Sequence, residues 1–265
     1  MDDLKLLGVQ ADLVWENPQQ NRLRLEQIID LHQEACDLIL LPETFTTGFP
    51  VDPQPFAESE EGESLQWMHR LSQKTGAVIT GSLLLKTGNR FSNSLIWMRP
   101  DGSYERYDKR HVFSMGGEHH TIQPGQKQLT VQLKGWNIRP MVCYDLRFPV
   151  WSKNHYQNGV FEYDLAIYVA NWPAVRAYPW NQLLLARAIE NQACIVGINR
   201  VGKDGLGNLY QGDSKVVDAK GQILSEAPEG KEAAFTATLS GKELQRFRNK
   251  FDVGRDWDSF TLDTN

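Results

Sequence analysis

The sequence predicts a single α/β domain over residues 1–265 with antiparallel strands added to it, and three observations carry that expectation. Strand-like and helix-like segments alternate from the start of the chain, several turn-separated strands follow, and no Pro/Ser/Gly-rich linker or internal repeat divides it. The hydrophobic content of 41% is ample for a sizeable core in a chain of 265 residues.

Residues 4–11 read as a strand, after which Asn17-Pro18 supplies an N-cap and first-turn proline for a helix carrying Leu25, Ile28, Ile29 and Ala35 inward. An apolar run over 37–41 ends at Pro42. Residues 64–74 form a second helix, with Leu65, Met68 and Leu71 on one face and Gly76 ending it, and the next strand begins at Ala77. Between 77 and 108, three strand-like runs are separated by the turn signals Lys86-Thr87-Gly88-Asn89 and Arg99-Pro100-Asp101-Gly102, the pattern of an antiparallel meander. A loop rich in Gly, His and Pro covers 114–127, and strands at 129–133 and 137–142 lead to Cys143. A short helix at 151–157, a buried strand at 164–169, a helix at 179–191 and a strand at 193–199 follow. Turns at Lys203-Asp204-Gly205 and Ala219-Lys220-Gly221 then separate shorter strands, and Ser240 caps a final helix over 241–249.

Composition removes several function classes. Lys plus Arg total 28 against 33 for Asp plus Glu, giving a net charge of −5, and no basic stripe offers a footprint for nucleic acid. The opening Met1-Asp2-Asp3-Leu4-Lys5 lacks the features of a secretory signal, and no apolar stretch approaches membrane-spanning length, so a soluble, cytoplasmic protein without a membrane partner is expected. Cys36, Cys143 and Cys194 are odd in number and contain no Cys-x-x-Cys pair, which speaks against a disulfide framework or a dithiol redox site. Cys36 and Cys194 are read as core packing.

Cys143 stands where the buried-type run Ile138-Arg139-Pro140-Met141-Val142 turns into Tyr144-Asp145-Leu146-Arg147-Phe148-Pro149. A strand-to-helix elbow lifts a nucleophile out of a sheet and aims the following backbone N–H at a developing oxyanion. A small hydrophobe at a strand end is the competing interpretation. Glu43 ends another apolar run, in Leu41-Pro42-Glu43-Thr44-Phe45, as a ligand-contacting or a capping carboxylate. Lys109, in Tyr107-Asp108-Lys109-Arg110-His111, also ends a strand, and taken alone would read as part of a solvated loop. The neighbours Glu118, His119 and His120 lack the His-Glu-x-x-His spacing of a metal site, so no metal and no cofactor is expected, and the histidines are read as lining or flanking a pocket.

Taken together, Glu43, Lys109 and Cys143 resemble the ordered Glu-Lys-Cys triad of the nitrilase, or carbon-nitrogen hydrolase, superfamily. The resemblance is carried by the segments around each of the three and by Ala186-Arg187-Ala188-Ile189-Glu190-Asn191, and it covers nearly the whole chain. It implies a four-layer αββα sandwich of two packed mixed sheets with helices on both outer faces, and a homodimer. It implies Glu43 as general base, Cys143 as nucleophile, Lys109 and the Tyr144 backbone N–H as oxyanion donors, and Glu118 as a supporting catalytic residue. A free thiol has a pKa of about 8.5, so chemistry at neutral pH needs such a base and cation.

Val142-Cys143-Tyr144-Asp145-Leu146-Arg147-Phe148-Pro149 and Ala170-Asn171-Trp172-Pro173 are similar to the ω-amidase branch, implying a small-molecule amide substrate: 2-oxoglutaramate, 2-oxosuccinamate or succinamate. Other carbon-nitrogen hydrolase substrates (nitrile, N-carbamoyl, N-acyl) and a catalytically silent scaffold remain the alternatives. A substrate carboxylate would need a cation, and Arg147 is the candidate; pairing with Asp145 or a helix end is its other reading. Tyr144, Trp172 and Phe45 are candidate pocket walls. Val150 stands where many relatives have glutamate. Arg187 and Glu190, three apart on a helix, read as a structural ion pair rather than site residues.

Overall fold

The computed structural model describes residues 1–32, 34–50 and 52–262. Its first half runs β1 (Leu4–Gln10), α1 (Pro18–Asp30), β2 (Leu38–Leu40), α2 (Glu63–Thr75), β3 (Val78–Thr87), β4 (Arg90–Met98) and β5 (Tyr104–Asp108). Asn17 caps α1 through its side-chain oxygen, and Gly76 ends α2 in the left-handed conformation with φ 69°. The meander expected between 77 and 108 is β3-β4-β5, paired antiparallel throughout.

The second half contains β6 (Val131–Leu133), β7 (Trp136–Val142), the one-turn α3 (Pro149–Ser152), β8 (Tyr156–Gln157), β9 (Val160–Phe161), β10 (Leu165–Ala170) and α4 (Ala177–Asn191). There follow β11 (Cys194–Asn199), β12 (Val201–Lys203), β13 (Leu209–Gln211), β14 (Lys215–Val217), β15 (Ile223–Glu226), β16 (Ala233–Leu239) and α5 (Gly241–Lys250). Two six-stranded sheets result, in the orders β16-β1-β2-β3-β4-β5 and β15-β14-β11-β10-β7-β6; β8-β9 and β12-β13 are separate hairpins. Each large sheet has a parallel centre, β1-β2-β3 and β7-β10-β11, flanked by antiparallel strands.

The layers follow from the period of two along each strand. Leu4, Leu6, Leu38, Leu40, Leu95 and Trp97 join the large core shared with the second sheet, while Leu7, Val9, Ile39, Ile79 and Ile96 pack with Leu25, Ile29, Leu65, Trp67, Met68 and Leu71 of α1 and α2. Trp180, Leu184 and Ala188 of α4 and Leu244 of α5 cover the second sheet. This is the αββα sandwich that the family resemblance implied.

Three local expectations are corrected. Helix α1 stops at Asp30, so Ala35 is neither helical nor inward but exposed; the Asp37 N–H already bonds Lys5 O at 2.9 Å, and the chain must leave the helix to reach that partner. The helix expected at 151–157 is only α3, because Asn154 bonds the backbone of Tyr163 and Asn191 and holds the chain extended into the β8-β9 hairpin. Ser240 occupies the N-cap position of α5 but makes no side-chain capping bond.

Candidate active site

The site lies where strand ends of the two sheets meet. Glu43 follows β2, and the chain beyond it stays fastened to β3: Thr44 N–H donates to Ser82 Oγ at 2.8 Å and Phe45 N–H to Ser82 O at 3.1 Å. Lys109 follows β5 directly. Its N–H bonds Asn93 O at 2.9 Å, and its carbonyl accepts from Gly125 N–H at 2.8 Å, where the 114–127 loop returns. A Cβ at position 125 would stand 2.1 Å from Asp108 O, so only glycine permits that return. Cys143 follows β7 with φ 44°, a left-handed conformation that an L-residue adopts at a cost and that turns its side chain out of the sheet. Arg187 of α4 braces the elbow, donating to Leu146 O at 2.7 Å while paired with Glu190 at 2.8 Å, the structural role anticipated for this pair.

These strand ends assemble a buried charge cluster. Lys109 Nζ lies 2.9 Å from Glu43 Oε1 and 2.9 Å from Glu118 Oε2, and Lys109 and Glu43 are both 0% exposed. Asn93 Nδ2 donates to Glu43 Oε1 at 2.8 Å, Asn171 N–H to Glu43 Oε2 at 2.7 Å, and Phe113 N–H to Glu118 Oε2. Buried charges are tolerable only when paired and hydrogen-bonded to this degree. Burial alone would depress the Lys109 ammonium, but Glu118 and Glu43 hold its pKa well above the usual lysine value, so it is a fixed cation. Cys143 shares this cluster's electrostatics, with Glu43, Lys109 and Glu118 all acting on its thiol. Desolvation and the Glu43 charge push the thiol up, while Lys109 opposes them, so at neutral pH the resting sulfur keeps its proton. Such an arrangement can deliver a thiolate to an electrophilic carbon and meet the resulting oxyanion with an ammonium.

Above the cluster opens a cavity of about 310 Å³ reaching Lys109, Cys143, Tyr144, Arg147, Trp172 and Arg176. Tyr144 and Trp172 line it. Phe45 does not: it is fully buried on the helix side of the first sheet against Trp67, with ring centroids 5.7 Å apart. Arg147 faces the cavity with its guanidinium over the Trp172 ring at 4.9 Å, and it does not pair with Asp145. Arg176 lies over Phe113 at 5.3 Å. Among the described residues neither arginine has an ion-pair partner within 4.0 Å, and Asp204, a carboxylate on the wall, already accepts from Leu206 N–H, Asn208 and Tyr210 Oη. His119 and His120 are exposed and off the wall, and among the described residues no group of three His, Cys, Asp or Glu is placed to hold a metal.

Sequence reasoning did not single out Asn93, Phe113, Arg176, Asp204 or Tyr210. Arg176 follows the quoted Trp172-Pro173 by three residues in a 3-10 turn, and that proximity was the available signal; the β12-β13 hairpin brings Asp204 and Tyr210 from far along the chain.

The family model described as carbon-nitrogen hydrolase matches residues 8–249. Over 262 residues the chain is 46% identical to omega-amidase YafV of Yersinia enterocolitica, covering 99% of this chain and 100% of that one. It is 28% identical to 2-oxoglutaramate amidase of Bacillus subtilis, over 92% of this chain and 94% of that one. Its backbone superposes with a TM-score of 0.96, at 41% identity, on a CN-hydrolase superfamily protein of Xanthomonas campestris that carries an arsenic adduct in its active site; 99% of this chain and 100% of that one are covered.

Proposed function

The chain belongs to the carbon-nitrogen hydrolase family, and from that premise we propose that it is an ω-amidase, hydrolysing the terminal amide of short dicarboxylate monoamides such as 2-oxoglutaramate, 2-oxosuccinamate and succinamate. The observation that carries the reading is the division of charge in one cavity: a paired Glu43–Lys109–Glu118 cluster near Cys143, and two guanidiniums, Arg147 and Arg176, that have no ion-pair partner among the described residues. A substrate with an amide at one end and a carboxylate at the other matches that division.

In this mechanism Glu43 takes the Cys143 proton as sulfur attacks the amide carbon. The carbonyl oxygen becomes an oxyanion facing Lys109 and the Tyr144 N–H, worth about 3–4 kcal/mol per donor in other enzymes. Protonated Glu43 returns the proton to the departing nitrogen, releasing ammonia and leaving a thioester. Water, deprotonated by Glu43, attacks the thioester; collapse expels the sulfur, which regains its proton, and frees the acid. Glu118 holds Lys109 in place and keeps the cluster anionic. Arg147 receives the distal carboxylate between Tyr144 and Trp172, and Arg176 adds to the positive potential that disfavours an amino-acid amide, whose 2-ammonium finds no free carboxylate among the described residues lining the cavity.

We read residues 1–265 as one catalytic domain in a cytoplasmic homodimer. The family resemblance supports the dimer, and exposed apolar side chains beside the elbow and on α4, Val150, Tyr178 and Ile189, are surface that a second subunit could cover. No helix among the described residues is long and apolar enough to cross a membrane.

The test is ammonia release from the three monoamides beside glutamine, asparagine, a simple nitrile and an N-carbamoyl amino acid, with wild type and Cys143→Ala. Turnover confined to the first three and lost in the variant is the expected result; preferential turnover of the nitrile or N-carbamoyl compound would replace this reading.

A further inference from the structure

Behind the nucleophile, Asp145 is fully buried and gathers four donors. Tyr107 Oη donates to Oδ2 at 2.7 Å and Val142 N–H to the same oxygen at 3.0 Å; His111 reaches Oδ1 with its backbone N–H at 2.9 Å and its ring Nδ1 at 2.7 Å. An ionised carboxylate only accepts, so His111 carries a proton on Nδ1. The positions of these donors matter. Tyr107 and His111 stand two residues either side of Lys109, whereas Val142 and Asp145 bracket Cys143. One carboxylate therefore ties the segment bearing the ammonium, from the first sheet, to the segment bearing the thiol, from the second. The tie is itself held: the His111 ring stacks on Phe148 with centroids 3.7 Å apart and planes within 5°, and Trp151 Nε1 donates to Tyr107 Oη at 3.0 Å.

Apolar contact between sheets is non-directional and tolerates small sliding, whereas hydrogen bonds are satisfied only over a few tenths of an ångström and a narrow range of angles. We propose that Asp145 and His111 are positioning residues that set the register of Lys109 against Cys143 across the two sheets, and so govern how readily Cys143 forms its thiolate. This rests on the reading of Cys143 as nucleophile but not on any substrate. The ionisable groups acting on the Cys143 sulfur are Glu43, Glu118, Lys109 and Tyr210, with Asp145 and Arg147 nearby on the elbow itself. Of the groups that act on the sulfur most strongly, Lys109 is the one that favours the thiolate, so its displacement has a defined sign.

The experiment is the pH profile of Cys143 alkylation by iodoacetamide, with the modified residue mapped by mass spectrometry, in His111→Phe, His111→Asn and Asp145→Asn. Phenylalanine keeps a ring against Phe148 but removes the Nδ1 donor; the asparagine amide restores a donor at the Nδ1 position. In His111→Phe the alkylation midpoint should rise by about one pH unit, the size of effect an opposite charge within a few ångströms exerts. The kcat for the amide should fall by about 10- to 100-fold with KM little changed, and His111→Asn should recover most of both. Asp145→Asn should also raise the midpoint, although deleting an anion by itself lowers it, so an upward movement there reports lost register. Unchanged midpoints in folded His111→Phe and Asp145→Asn, or a His111→Asn profile identical to that of His111→Phe, would overturn the proposal. Alkylation that misses Cys143 in wild type would instead sink the nucleophile assignment.

Discussion

The inner and outer halves of the cavity use charge in opposite ways. Inside, Lys109, Glu43 and Glu118 are buried and mutually paired, with Asn93, Asn171 and Phe113 supplying further donors. Outside, Arg147 and Arg176 lie on aromatic faces with no ion-pair partner among the described residues. Paired charges lock a geometry and leave Lys109 one N–H for a developing oxyanion, whereas unpaired ones on a cavity wall are open to a whole carboxylate. On the proposed reading, the inner half serves the chemistry common to amide cleavage, and the outer half the choice of amide.

The comparison can be broken by substitution. Cys143→Ala should abolish turnover, by about 10⁴-fold or more in kcat, while leaving binding of a monoamide measurable by calorimetry. Lys109→Met should cost both functions of the inner half: about 10²- to 10³-fold in kcat, and about 3–5 kcal/mol of stability in urea unfolding, since two buried carboxylates lose their cation. Arg147→Gln should do neither; KM for 2-oxoglutaramate should rise roughly 10- to 100-fold, equivalent to about 1.5–3 kcal/mol of charge-assisted hydrogen bonding, with stability within about 0.5 kcal/mol of wild type. Arg176→Gln should raise KM less and shift the kcat/KM ratio of glutamine to 2-oxoglutaramate toward glutamine, by about 3- to 10-fold if the group acts at screened range.

The smallest effect concerns a thiol outside both halves. Burial pushes Cys194 from 9.0 to about 12, so the folded state holds its proton more tightly than the unfolded chain. The associated stability is present below pH 9 and is lost as pH rises from 9 to about 12. Cys194→Ala should therefore lose about 1 kcal/mol less than wild type between pH 8 and pH 10, read from urea midpoints.

How much of this was legible in the sequence follows from range. The α/β class with added antiparallel strands was readable because strand alternation and helix periodicity are local, whereas the four-layer sandwich and the grouping of Glu43, Lys109 and Cys143, each at a strand end, came from the family resemblance. Phe45 was misplaced as a pocket wall because Thr44 takes φ 39°, and the following residue, bonded to Ser82 O, returns to the layer of Leu41 beneath α2. No residue pattern announces that turn. Asp204 and Tyr210 could not be anticipated, since their approach depends on how one hairpin lies over the second sheet. Asp145 was visible in the elbow string, but its partners Tyr107 and His111 lie more than thirty residues earlier, and only the packing of the two sheets brings them to it.

The most direct test of the division of labour is mass spectrometry of the enzyme quenched during turnover of 2-oxoglutaramate. The expected result is a 2-oxoglutaryl thioester on Cys143 in wild type, absent from Cys143→Ala and still formed in Arg147→Gln at saturating substrate. Ammonia release with no adduct on Cys143, or an adduct on Cys36 instead, would contradict it.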